Sequence, residues 1–177
     1  AWNGPAGQLP VNAHSAGENR DLVVVKVDSS GVYLWHTFHG SSGSTDYGQG
    51  IALDQSANIY IVGSSNFTWN GPGDTPPLHG HAGGATYDIS ALKLNNTGTY
   101  QWHTFYGSAD YDVSADIALD QSANVYVTGD SPMSWNGPGG ENPLHAHTVD
   151  NNDIAVLSLT GNGAYRWHTF YGSTSNS

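Results

Sequence analysis

Cysteine is missing from this 177-residue chain. Its absence excludes a disulfide framework and any thiolate metal site, so the fold has to be held by packing and hydrogen bonds. Basic residues are nearly missing too: 4 Lys+Arg stand against 15 Asp+Glu, a formal net charge of −11. Such a surface repels nucleic-acid phosphates and anionic lipid headgroups, which argues against nucleic acid as a partner. No apolar run approaches the roughly 18 residues of a membrane span, so membrane insertion is not expected, and nowhere do apolar residues recur at helical spacing. The sequence shows no signal peptide and opens on Ala1 rather than Met, as a processed product or an excised piece would. A nucleophile elbow, a Gly-rich phosphate loop and a His-Glu-x-x-His zinc motif are all lacking. The expectation is therefore a protein that is not an enzyme, with no catalytic residue and no cofactor.

What the chain does have is repetition. Trp-Asn-Gly-Pro occurs at Trp2, Trp69 and Trp135, spaced by 67 and then 66 residues, and the flanking sequence recurs in step. One array therefore occupies 1–177, divided into repeats 2–68, 69–134 and a truncated 135–177. Abundant Gly, Trp and Tyr and short apolar runs read as all-β with long loops. In each full cycle two runs flank Gln-Ser-Ala, 50–54 with 58–63 and 117–120 with 124–129, and predict a hairpin whose Asp and Asn hold the turn. A second hairpin follows at 88–94 with 100–107, matched by 21–27 with 33–40 and 153–159 with 165–172. Each repeat thus predicts a four-stranded antiparallel meander. In the third strand both alternating faces are apolar: Leu22 and Val24 point one way, Val23, Val25 and Val27 the other. Both sides of each sheet are expected to be covered, and neighbouring repeats are the obvious cover. Twisted four-stranded sheets packed face to face make a β-propeller, with the first strand lining the axis and the fourth at the rim.

The stretch from Ile117 through Asp120-Gln121-Ser122-Ala123-Asn124 to Gly129, then Asp153-Ile154-Ala155-Val156-Leu157 and a Thr-Phe-Tyr-Gly ending, resembles the bacterial β-propeller repeat family abbreviated SBBP. The resemblance covers nearly all of each repeat outside the Trp-Asn-Gly-Pro loop. It implies large bacterial proteins that are secreted or displayed at the cell surface, so an extracellular location is expected, and it carries no catalytic residues.

Strands count two, four and four, and two and a half blades cannot close a ring. The sequence reading is an open array: a segment of a longer protein, or copies that complete a ring or fibre, or a linear stack. Wide apolar faces would otherwise stand in water, so self-association or further repeats of the same protein are the expected partners.

The loops hold the candidate ligand-binding residues: Trp2, Asn3 and His14; Trp69, Asn70 and His81; Trp135, Asn136 and His147. An indole beside an amide and an imidazole suits a sugar, whose CH face stacks while its hydroxyls hydrogen-bond, so glycans are a candidate partner and a lectin the alternative function. The competing structural reading makes each Trp a plug that folds the loop onto its blade. A fragment of a propeller hydrolase or lyase is the second alternative. His79-Gly-His81 and His145-Ala-His147 offer imidazole pairs to a transition metal, but the first copy has Asn12-Ala-His14, and no metal is expected. Asp150–Asp153 and Asp110-Tyr-Asp112 offer oxygen to calcium without a recognised spacing, and read better as polar turns. His36, His103 and His168, each after a strand Trp, read as packed imidazoles bonded to a loop. Asn66-Phe-Thr and Asn95-Asn-Thr match the glycosylation sequon.

Overall fold

The computed structural model describes residues 2–17, 19–148 and 152–173. Its strands are β1 (Leu22–Val27), β2 (Tyr33–His39), β3 (Asp46–Leu53), β4 (Ile59–Ser65), β5 (Asp88–Leu94), β6 (Tyr100–Tyr106), β7 (Val113–Leu119), β8 (Val125–Ser131), β9 (Asp153–Leu159) and β10 (Tyr165–Tyr171). All pairings are antiparallel between chain neighbours: β1-β2 forms a half sheet, β3-β4-β5-β6 and β7-β8-β9-β10 two complete meanders. The protein is all-β, a set of propeller-type meander repeats in an open array.

Local chemistry sets the connections. Asp54 and Asp120 each accept backbone N–H groups two and four residues on, which closes the first hairpin around Ala57 and Ala123, both held at positive φ. The second hairpin uses the same device through Asp28, Asn95 and the Thr160 hydroxyl. Asn95 is thus a turn residue, and Asn66 accepts the Thr45 N–H. The first strands extend beyond the sequence expectation, β3 starting at Asp46 rather than at 50. A register shift between Gly48 and Gly50 lets pairing with β4 continue through a glycine-rich stretch that shows no apolar alternation.

The repeats pack in one sense. The face of β1 that carries Leu22 and Val24 lies against Ile59, Ile61, Leu92 and Leu94 of the second sheet. One repeat further on, Tyr60, Val62, Ile89 and Ala91 lie against Val125, Val127, Leu157 and Leu159 of the third. Among the described residues only the middle sheet is covered on both sides, which is the pattern of an open array. Val23, Val25 and Val27 stand 47%, 47% and 51% exposed, and Ile154 is exposed at the opposite end. The reason is positional, because each outer sheet has a neighbour on one side among the described residues.

Candidate functional site: the Trp-Asn-Gly-Pro loops

Each loop turns at Trp-Asn-Gly-Pro and runs back along the outer edge strand. The Gly4, Gly71 and Gly137 N–H groups donate to the carbonyls of Gln8, Thr75 and Glu141, which closes a tight turn. A side chain at these glycines would enter a tyrosine ring, since a Cβ on Gly71 would come 2.6 Å from Cζ of Tyr100. Past the turn, Val11, Leu78 and Leu144 donate backbone N–H groups to His36, His103 and His168, while Phe38, Phe105 and Phe170 donate back to Asn12, His79 and His145. The loop thereby covers the free edge of β2, β6 and β10, where an unpaired strand would invite foreign pairing.

At the centre of each loop three rings interlock. The Trp69 indole stacks on the His103 imidazole with centroids 3.8 Å apart and planes within 2°, and meets Phe105 edge-on. Trp2 on His36 and Trp135 on His168 repeat this at 3.9 and 4.0 Å. Nε2 of each histidine bonds the carbonyl of its own Trp at 2.9 Å, and Nδ1 bonds the hydroxyl of Tyr33, Tyr100 or Tyr165 at 2.6 to 2.7 Å. A carbonyl only accepts, so Nε2 carries the hydrogen and Nδ1 accepts from the tyrosine. Burial pushes the His103 pKa down to about 4 and lowers that of His168, which keeps these rings neutral near pH 7.

Trp69 and Trp135 are 4% and 6% exposed, whereas Trp2 is 45% exposed. The outer edge of the preceding blade accounts for the difference. His39 leans over Trp69 and Tyr106 over Trp135, with centroids 6.4 and 6.0 Å apart, while no preceding blade reaches Trp2 among the described residues. The amides lie outside this stack. Asn70 donates to Asp74, and Asn3 and Asn136 are exposed.

The paired imidazoles diverge. Nδ1 of His79 and of His145 bonds the carbonyl of Phe105 and of Phe170, a task that the Asn12 amide performs for Phe38, which explains the odd residue in the first copy. His81 turns the other way and donates Nε2–H to the Ser65 and Thr86 carbonyls, and His147 does so to Ser131. His14 instead lies beside the Ser15 carbonyl and 3.9 Å from Asp21. Among the described residues no three His, Asp or Glu side chains are gathered as a metal set. Of the calcium candidates, Asp150 and Asn151 lie outside the described residues. Asp110 holds the Tyr111 N–H, while Asp112 binds Ser108 and the Ser131 hydroxyl.

A second recurring element is the set of strand-end carboxylates that clasp the returning loop. Asp21, Asp88 and Asp153 accept the N–H of Ser15, Ala82 and Thr148 at 2.6 to 2.7 Å. Where blades meet, a second carboxylate joins. A Cβ on Gly107 would lie 2.6 Å from Asp88 Oδ1 and 2.9 Å from Asp112 Oδ2, so glycine is what allows both to approach the backbone. Burial, with repulsion from Asp112, raises Asp88 to about 7 despite the Ala82 bond. Burial likewise raises Asp46 to about 6, against hydrogen bonds from Ser44 and Ser65 and with repulsion from Asp21. The Trp69 indole N–H is close enough to draw Asp46 down slightly, yet makes no hydrogen bond of normal geometry. The tyrosine partners of the stacked histidines are the residues that sequence reasoning missed; their signal was a Tyr three residues before the His in every copy.

Four-stranded meanders stacked face to face, each with its outer edge covered by its own loop, define a propeller-type repeat protein. Comparison with known sequences agrees: residues 34–68 match the family model SBBP, described as a beta-propeller repeat. An uncharacterized WD repeat-containing protein of Acanthamoeba polyphaga mimivirus is 25% identical over 169 residues, covering 88% of this chain. The chain spans 12% of that relative's length.

Proposed function

We propose that the protein is a non-catalytic, extracellular scaffold whose propeller-type repeats act by stacking on further blades. The observation that carries this reading is the contrast between the covered middle sheet and the open valine face of β1. Val23, Val25 and Val27 occupy the positions that in the next two sheets are filled by Ser90, Leu92 and Leu94 and by Ala155, Leu157 and Leu159, all buried. A face of this kind in water drives association. The loops support a structural role as well, since the stacked Trp, His and Tyr groups are occupied with one another. The extracellular placement follows the bacterial repeat family that the sequence resembles, and is checked by fractionating the source organism. Sedimentation of the purified chain over a range of concentrations tests the stacking, with Val25→Lys expected to shift the population toward monomer. A concentration-independent monomer would refute it.

A lectin reading retains one favourable observation, the half-exposed Trp2 ring. Its test is a glycan titration followed by Trp fluorescence: a saturable shift lost in Trp2→Ala but kept in Trp69→Ala would favour sugar binding at that loop.

A further inference from the structure

Between the two complete sheets, at their outer edge, lies a cavity of about 320 Å³ lined by Leu78 and Tyr106 of one repeat and by Pro138, Glu141, Asn162 and Tyr165 of the next. One repeat earlier the places of Tyr106 and Glu141 are taken by His39 and Thr75, so the carboxylate belongs to this junction alone. The turn that carries Glu141 does not call for its charge. Oε2 accepts the Gly139 N–H at 2.8 Å, and in the first repeat the neutral amide of Gln8 accepts the Ala6 N–H at the same distance. Among the described residues Glu141 forms no ion pair, and its Oε1 has no hydrogen-bond partner. The charge stands beside Tyr165: a Cβ on Gly137 would lie 2.5 Å from Glu141 Oε2 and 2.8 Å from Tyr165 Cζ. Tyr165 gives its hydroxyl hydrogen to His168 Nδ1, which leaves only oxygen lone pairs for other company. Tyr106 is 2% exposed, with its ring held between His79 and Tyr165 at 5.1 and 6.0 Å, yet its hydroxyl makes no hydrogen bond of normal geometry. Burial pushes Tyr106 up to about 12, against a pull from Thr104 and with repulsion from Tyr165 and Glu141, so the phenol stays protonated in a negative field.

We propose that this cavity binds the guanidinium of an arginine side chain presented by a partner polypeptide. Glu141 Oε1 and the Tyr165 oxygen accept hydrogen bonds and have no hydrogen to give, and the unpartnered Tyr106 oxygen adds a third acceptor. A planar fork of N–H donors satisfies several such acceptors at once, where an ammonium is a single point of charge. Leu78 and Pro138 supply apolar wall for the methylene stem, and the tyrosine rings favour a cation beside them. Glu141 repels a phosphate or carboxylate, and a sugar hydroxyl would need donors as well as acceptors. A second copy of this chain is a poor source of the cation, because its four basic side chains are engaged: Arg20 with Tyr47, Lys26 with Asn96, Lys93 with Gly161, and Arg166 with Tyr126 and Ser158. The occupant is therefore a basic segment of a different protein, which the net charge of −11 attracts from a distance. The site lies at the outer edge of a complete junction, away from the open valine face, and goes beyond the stacking proposed above.

The test is an NMR titration of the whole chain with the blocked peptide acetyl-Gly-Arg-Gly-amide, with its lysine and glutamine counterparts as controls. Saturable one-to-one binding of the arginine peptide is expected, with shifts centred on Tyr106, Glu141, Asn162 and Tyr165. Glu141→Gln should weaken it by about tenfold while the fold persists, since Gln8 already makes the same turn bond in the first repeat. Tyr106→Phe, which removes only the unpartnered hydroxyl, should weaken it by a smaller factor. No binding, equal binding by the glutamine peptide, or unchanged affinity in Glu141→Gln overturns the site, and equal affinity for the lysine peptide overturns its assignment to a guanidinium. Asp74→Asn, on the exposed turn of the second repeat, controls for diffuse attraction to an acidic surface. Weakening equal to that of Glu141→Gln would likewise overturn the site.

Discussion

β5 and β1 are the same strand in successive repeats, and they differ in what lies beside them. β5 has a sheet on each face and a partner on each edge, and its Ile89, Ala91, Leu92 and Leu94 are buried. Among the described residues β1 has one covered face and one paired edge, and its three outward valines are half exposed. The loop residues follow the same rule, with Trp69 enclosed by His39 of the repeat before it and Trp2 left open. The internal chemistry of a blade, from the Trp-His-Tyr stack to the loop cover on the outer strand, is complete within each repeat. What varies along the chain is the contact between repeats. Apolar burial depends on the neighbouring blade, and a smaller set of polar bonds crosses with it, among them Lys93 Nζ to the Gly161 carbonyl and the Ser114 N–H to the Ser64 hydroxyl, as expected of a nearest-neighbour array.

That division can be broken experimentally at paired positions. The largest effect is expected from Trp69→Ala, which empties a buried ring site and should cost about 3 to 5 kcal/mol, against about 1 kcal/mol for Trp2→Ala in the open repeat. Denaturant titration of both variants measures it, and equal losses would show that the preceding blade contributes nothing to the plug. Next comes Leu92→Lys against Val25→Lys. A lysine forced between two sheets should destabilise by about 3 kcal/mol, while the same residue on the open face should leave the melting curve within about 0.5 kcal/mol and reduce only association.

Smaller and opposite in sign is the response of the clasping carboxylates. Asp88 titrates near 7 in the folded chain, above its ordinary range, so its contribution is full below about pH 4 and is lost as pH rises through 7. Asp88→Asn should therefore gain about 2 kcal/mol over the parent between pH 4 and 8. In the third repeat, burial works to raise Asp153, but the Thr148 hydroxyl and N–H and the nearby His147 and His145 outweigh it and leave the group low. Its contribution is present above the ordinary carboxylate range and lost in acid, so Asp153→Asn should destabilise at pH 7. Thermal melts across pH 4 to 8 decide, and parallel curves for the two variants would contradict the asymmetry. Lowered His39, His81, His103 and His168 act the other way on the parent, stabilising as pH rises through their range, which is why the difference between variant and parent is the informative quantity. The smallest expected effect is from chelator: with His79 and His81 turned toward separate carbonyls, EDTA should leave the melting temperature unchanged, and a shift of several degrees would point to a bound ion.

Much of the blade was legible in the residues. Apolar alternation and the Asp-Gln-Ser-Ala-Asn turns marked β4, β5, β8 and β9, and the period marked the repeats, because short-range signals suffice for hairpins. The start of β3 was not, since a strand that carries Gly48 and Gly50 is held by its partner and not by its own propensity. The His-x-His pairs and the Trp-Asn-Gly-Pro loops looked like chemistry because side-chain identity was visible and direction was not. Residues two apart on an irregular loop face wherever the next blade strand places its carbonyls.

By itself the sequence determined the all-β class, the period, the strand-turn-strand units and the acidic, cysteine-free character, all properties of residues near one another in the chain. Tertiary structure decided which face of each strand is buried, which indole is enclosed and which carboxylate has its pKa raised, because each depends on the repeat packed alongside, some 66 residues away in a chain whose copies are locally almost the same.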